Sequence, residues 1–185
     1  MKPYHWILPL ILMQSAWAEK VESTELKFAA TVPAKMRQSN VSNSSGKVVS
    51  FQGKDDASGL TYQIEVNQSL EVARVLGPKP DLLKPTLEKD LKAYTASVKA
   101  ADAAVKTEWK KGFSKDVVFF DFETAGFSAA GEKSSHSGVT FLHNEAIFTV
   151  QVIAPGAERT SEAKKALLEV MKTFSLLNGA ATPGK

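Results

Sequence analysis

The chain has 185 residues, of which 43% are hydrophobic and 23% charged, with no cysteine and a formal net charge of +3. A chain of this length can bury enough surface as one domain to fold without disulfides. Its acidic and basic residues are balanced and interspersed, so it lacks the basic face that binding to nucleic-acid phosphates requires. We therefore expect no nucleic-acid partner.

The first predicted element is an export signal. Lys2 precedes an apolar run at 6–13, and an uncleaved anchor is disfavoured because a spanning helix needs roughly 17 to 25 such residues. Ala16 and Ala18 place small residues where signal peptidase requires them, so we predict a signal peptide over 1–18 that is cleaved after Ala18. The chain has no cysteine to carry a lipid anchor or a disulfide, and this suits a protein secreted across the inner membrane into a bacterial periplasm.

Three strands are predicted in the first half of the mature chain. Apolar and polar residues alternate over 25–32, and Pro33 ends that strand because it has no amide donor. The polar stretch 38–46 is typical of a loop, and a second strand follows at 47–51. The strictest alternation in the sequence lies at 60–67, which predicts a strand with one polar face.

Two amphipathic helices are predicted. Residues 68–85 form a connector, after which Thr86 caps a helix that runs toward Val105 with its apolar residues on one stripe. The second helix begins near Thr160 or Ser161. Its predicted buried stripe consists of Ala163, Leu167, Val170, Met171 and Phe174.

Four further strands are predicted between the helices, and a flexible stretch at 126–131 separates the second from the third. Their ranges are 105–110, 117–123, 132–142 and 146–154. Hairpin connections such as the turn at Asn144 favour antiparallel pairing. We therefore predict an α+β fold, an antiparallel β-sheet of about six or seven strands packed with two main helices, with one sheet face buried and the other wet or partly covered. The predicted domain covers 19–178, and 179–185 is a flexible tail.

Three stretches carry a family resemblance: the strand Phe28 to Pro33, the strand Tyr62 to Val66, and the closing strand and helix from Phe148 to Leu176. In this order they resemble the PsbP-like fold family, which includes the DcrB-like bacterial envelope proteins. The resemblance implies an α/β/α sandwich and a role as an accessory or assembly subunit rather than as an enzyme. It brings no shared catalytic motif and no cofactor, and this chain departs from many bacterial members by lacking a lipid-attachment cysteine.

The candidates for catalysis or metal binding are few. His136 and His143 are the imidazoles of the mature chain, and neither lies in a nucleophile elbow or at a metal-ligand spacing. We assign no catalytic, cofactor-binding or metal residue. The alternative is a small exported hydrolase or metal-dependent enzyme that uses His136 with Asp121 or Glu123.

The most partner-like cluster consists of Trp109, Lys110, Lys111 and Phe113, because an aromatic ring flanked by lysines can dock on an anionic surface. The other interpretation, which we prefer, is that Trp109 packs in the core and the lysines are solvated. Our leading hypothesis is an exported, non-catalytic accessory or binding protein of the cell envelope. Its ligand would be an envelope protein or a small apolar molecule held between helix and sheet.

Overall fold

The structure is a computed structural model that describes residues 18–43, 46–69, 89, 96, 104–111, 118–128, 132–143 and 146–177. Within these ranges the chain forms ten strands and one continuous helix. They are β1 (Glu19–Ser23), β2 (Phe28–Val32), β3 (Arg37–Asn43), β4 (Gly46–Lys54), β5 (Thr61–Ser69), β6 (Ala104–Lys111), β7 (Val118–Ser128), β8 (Lys133–His143), β9 (Ala146–Pro155), α1 (Thr160–Thr173) and β10 (Ser175–Leu176).

The larger of two sheets, here the large sheet, has seven strands in the order β3-β4-β5-β9-β8-β7-β6, and every neighbouring pair is antiparallel. The two halves of the chain meet where β5 pairs with β9. There Tyr62 lies opposite Val152, and Val66 lies opposite Phe148. Because side chains alternate along a strand, the buried apolar residues of both strands fall on one face of the sheet.

The small sheet has three strands in the order β1-β2-β10, and α1 joins it to the large sheet. α1 packs against β2 on one side and against β7, β8 and β9 on the other. Its buried residues are Ala163, Leu167 and Val170, which lie on one stripe because they repeat at helical spacing. The chain leaves the helix at Phe174 in an extended conformation and continues directly into β10.

Phenylalanine rings form the centre of the core. Phe28 of β2 is fully buried and stacks on Phe174 with ring centroids 5.7 Å apart. The edge of the Phe28 ring meets Phe51 at 5.5 Å and Phe148 at 5.9 Å. Phe148 in turn stacks on Phe141 at 5.2 Å. The small sheet, the large sheet and the end of α1 are thus held together by one set of aromatic contacts.

The α+β class and the antiparallel sheet are confirmed. The second predicted helix is α1. Of its predicted buried stripe, Ala163, Leu167 and Val170 are buried in the helix, Phe174 is buried just after it, and Met171 is half-buried. The first predicted helix falls outside the described residues except at Lys89 and Ala96, which are both helical. The predicted connector was wrong at its start, because 68–69 belong to β5; its remainder and the tail at 179–185 lie outside the described residues.

The prediction of a loop over 38–46 was wrong, since most of it is β3. This strand lies at the outside of the large sheet with exposed side chains on both faces, so its sequence needs no alternation. The flexible stretch predicted from residue 126 was wrong at its start, because β7 continues to Ser128. It does so through an irregularity at Gly126, whose positive φ of 78° is the conformation that a β-bulge of this kind requires.

Candidate binding face of the large sheet

The large sheet has two chemically different faces. The core face, turned toward α1 and the small sheet, carries apolar side chains from each of the central strands. They include Tyr62, Ile64 and Val66 of β5, Val139 and Phe141 of β8, and Phe148, Val150 and Val152 of β9, all buried. The alternate positions form the opposite face, here the polar face, and most of its described residues are half-buried.

A chain of side-chain hydrogen bonds crosses three strands of the polar face. Ser134 Oγ lies 2.8 Å from His136 Nε2 on β8. His136 is hydrogen-bonded to the side chain of Gln151 on β9. The Gln151 amide donates from Nε2 to Gln63 Oε1 on β5 at 2.9 Å, and Gln63 Nε2 donates to Glu65 Oε2 at 3.5 Å. We call these five residues the polar chain.

Burial of the histidine in the polar chain favours its neutral form. Burial lowers the pKa of His136 below 6.5, although the hydrogen bond with Gln151 acts in the opposite direction. A neutral imidazole has one donor nitrogen and one acceptor nitrogen, so it can bind a hydroxyl on one side and an amide on the other. His136 therefore acts here as a hydrogen-bonding link between β8 and β9.

Thr124 and Phe122 of β7 lie beside the polar chain. Thr124 is 1% exposed and pairs in register with His136, and its Oγ1 has no hydrogen-bond partner among the described residues. Phe122 lies opposite Gly138, where an added Cβ would come within 2.3 Å of Phe122 Cζ. Because Gly138 has no side chain, the Phe122 ring can lie across β8. The ring covers the polar face beside Gly138.

The structure does not bring His136 together with Asp121 or Glu123, the residues of the predicted enzyme alternative. The β7–β8 register pairs Glu123 with Ser137 and Thr124 with His136, so both carboxylates project from the core face and the imidazole from the polar face. Glu123 also forms an ion pair with Lys164 of α1. The backbone of the sheet therefore separates the groups that would have to converge.

The two histidines cannot share a metal ion for the same reason. His143 projects from the core side of β8, where its ring centroid is 6.2 Å from that of Phe148. Burial, followed by the charge of Lys27, lowers its pKa. Across the described part of the chain, no group of at least three histidine, cysteine or acidic residues is arranged to hold a metal.

The predicted partner cluster lies at the opposite edge of the large sheet from β3. Trp109, Lys110 and Lys111 are the last residues of β6, the outermost strand on that side, and Phe113 lies outside the described residues. Whether they contact a partner stays a prediction, as does the small apolar ligand. At the predicted cleavage site Ala16 lies outside the described residues, whereas Ala18 is exposed and directly precedes β1.

Sequence reasoning did not find the polar chain. The alternation over 60–67 predicts a polar side of that strand, which includes Gln63 and Glu65, but nothing in the sequence marks Gln151. What joins them is the pairing of β5 with β9, which places Gln63 directly opposite Gln151 although 88 residues separate them in the sequence. The contact between these two glutamines can be predicted only when the order of the strands is known.

Comparison with known proteins gives the fold. No protein-family model matches the chain, and no curated protein matches it significantly. The solution structure of cyanobacterial PsbP (CyanoP) from Synechocystis sp. PCC 6803 is similar with a TM-score of 0.50 and 14% identity, over 87% of this chain and 93% of that chain. The Ran-binding protein Mog1p of Saccharomyces cerevisiae gives a TM-score of 0.45 and 8% identity, over 89% of this chain and 97% of that chain.

The likeness to CyanoP confirms the predicted PsbP-like fold. An identity of this size shows the fold and nothing about function. Among the described residues, no helix is long and apolar enough to cross a membrane.

Proposed function

We propose that the protein is an exported, non-catalytic accessory protein that binds a partner protein in the cell envelope, in a bacterial periplasm. One observation carries the non-catalytic part: the imidazole and the carboxylates that sequence reasoning had combined lie on opposite faces of the large sheet. Catalysis requires acid, base and nucleophile to converge on one reacting atom. The polar chain instead links three strands through its own side chains, which suits a rigid binding platform.

Export is supported by the sequence at 1–18, and the first strand is compatible with cleavage there. The first residue after the predicted cleavage site, Glu19, is the first residue of β1, and its Oε2 accepts a hydrogen bond of 2.9 Å from the Met36 amide. Cleavage after Ala18 would leave β1 and this contact complete. Mass spectrometry of the protein from the periplasmic fraction should give an N-terminus at Glu19, and a protein retained in the cytoplasm with residues 1–18 attached would contradict export.

Partner binding is tested by crosslinking in intact cells that produce the full chain with a C-terminal affinity tag. We expect the purified material to contain one defined envelope protein at reproducible yield. The tagged variant His143→Gln, whose side chain lies on the core side of β8 and outside the polar chain, should capture the same protein in the same amount. Repeated recovery of the chain without any partner would contradict the binding role, and a cellular phenotype lost in a folded His136→Gln variant that still captures the partner would favour an enzyme.

A further inference from the structure

β3 is an outer strand of the large sheet whose side chains are open to solvent on both faces. Each residue from Arg37 to Ser42 is exposed, and Val41 has 63% of its surface accessible. Within the described part of the chain β3 pairs only with β4. Alternate residues of such a strand direct their amide and carbonyl groups away from the sheet, where they can pair with another strand.

The sequence of β3 lacks the features by which exposed strands usually prevent pairing. It contains no proline, lysine or acidic residue, and its single charge is Arg37 at one end. It pairs with β4 through seven consecutive residues without an irregularity. A long, regular and almost uncharged edge is a template for an added strand.

From this edge we infer that a second copy of the chain pairs with β3, in antiparallel fashion and about a two-fold axis at Asn40. This register uses the full strand and places Asn40 opposite Asn40 of the other copy. Val41 then lies opposite Ser39 of the other copy, and Arg37 opposite its uncharged Asn43. Like charges directly opposite one another would be destabilising, and this register contains no such pair. The two Val41 side chains become diagonal neighbours on one face, roughly 7 to 8 Å apart, which covers an otherwise exposed apolar residue.

The predicted dimer is weak, because one strand pair buries much less than the roughly 1,600 Å² of a standard stable interface. Sedimentation equilibrium of protein purified from cells that express the full chain should therefore be measured from about 10 µM to about 1 mM, the range expected for a small interface. We expect the mass to rise from monomer to dimer over this range. A monomer at every concentration would overturn the inference.

Substitution of Val41 tests where the contact lies. Val41→Lys places a positive charge beside its own copy, so the dissociation constant should rise at least tenfold. Val41→Glu should act in the same way, and an equimolar mixture of the two variants should dimerise again because opposite charges become neighbours. The control is Leu168→Lys on α1, since Leu168 is the other large apolar residue exposed in the described structure, at 53%. Unchanged dimerisation of both Val41 variants, or its loss in Leu168→Lys alone, would contradict the inference.

The register can be tested because the chain contains no cysteine. Directly opposite residues of antiparallel strands have Cα atoms about 4.5 to 5.5 Å apart, within reach of a disulfide. Asn40→Cys should therefore form a disulfide-linked dimer under mild oxidation. Gln38→Cys is the matched control, because it would lie opposite Ser42 of the other copy and roughly 13 Å from its own copy. Linkage of Gln38→Cys with equal or greater efficiency would exclude this register.

Discussion

The two faces of the large sheet use one backbone for two purposes. Along β9 the core face buries Phe148, Val150 and Val152 to 1% exposure, whereas the residues between them on the polar face, including Thr149 and Gln151, stay half-buried. The core face obtains its stability from the removal of apolar surface from water. The polar face obtains cross-strand order from hydrogen bonds, each of which adds little net stability. We therefore expect truncations at neighbouring residues of one strand to lower the free energy of unfolding by amounts that differ severalfold.

The largest expected effect is on the core face. Phe148→Ala should lower the free energy of unfolding by about 3 to 5 kcal/mol, because it removes the ring that contacts Phe28, Phe141 and Phe174 and leaves a cavity. The matched control is Ile147→Ala, its half-buried neighbour on the polar face, which should cost clearly less. Urea unfolding followed by circular dichroism measures both, and equal losses would contradict the division into two faces.

The second effect concerns the close contact on the polar face. Gly138→Ala should cost about 1 to 3 kcal/mol because the new methyl group would overlap the Phe122 ring. Since the clash is with a side chain, Phe122→Ala should remove most of it, and adding Gly138→Ala to that variant should cost little. A double-mutant cycle measures this coupling. Additive losses would mean that residue 138 requires glycine for a reason other than the ring.

The third effect is on the polar chain. Gln151→Leu keeps the volume of the side chain but removes its hydrogen bonds to His136 and Gln63, so it should cost about 1 to 2 kcal/mol. Ile153→Leu on the same strand and face is the control and should cost less, since no hydrogen bond is lost. Thermal unfolding measures both variants, and equal shifts in midpoint would mean that the polar chain does not contribute to stability.

The smallest effect is on the pH dependence of stability. The folded pKa values of His136 and His143 both lie below 6.5, so the unfolded chain binds protons more readily than the folded one. The stability that depends on neutral histidine is fully present above pH 6.5 and is lost as the pH falls through the lower, folded pKa values. In urea unfolding from pH 7.5 to pH 5, His136→Gln should show a shallower decline than the unsubstituted protein. His143→Gln tests the core-side histidine in the same way, and an unchanged slope in both variants would contradict these pKa directions.

The sequence predicts the strands and the helix that have a clear periodic pattern of apolar residues, and it does not predict the strands without one. β5, β9 and α1 were predicted close to their observed bounds, because one side of each is buried and the period is visible. β1, β3 and β10 were not predicted: β3 is exposed on both faces, β1 buries only Val21, and β10 has two residues. β1 and β3 are formed by hairpin pairing with the strand that follows each of them, and β10 by pairing with the distant β2, and none of these pairings leaves an alternating pattern in the sequence.

The candidate face was predicted only in outline. Alternation indicated that one face of the sheet would be polar, and it is. The hydrogen bonds that join the polar chain across strands depend on the strand order, and the separation of His136 from Asp121 and Glu123 depends on the β7–β8 register. His136 and Glu123 are near in sequence, yet they lie on opposite faces of the sheet. Gln63 and Gln151 are distant in sequence, yet they are in contact.

The pairing of β5 with β9 also has a consequence for the order in which the protein folds. β3, β4 and β5 can form a meander locally, but β5 obtains its second neighbour only after residues 146–155 have been made. Contacts so distant in sequence make folding slow, because a long loop must close before they form. During that interval β5 has an unpaired edge, so the folding chain passes through a state that is open to misassociation until β9 pairs with β5.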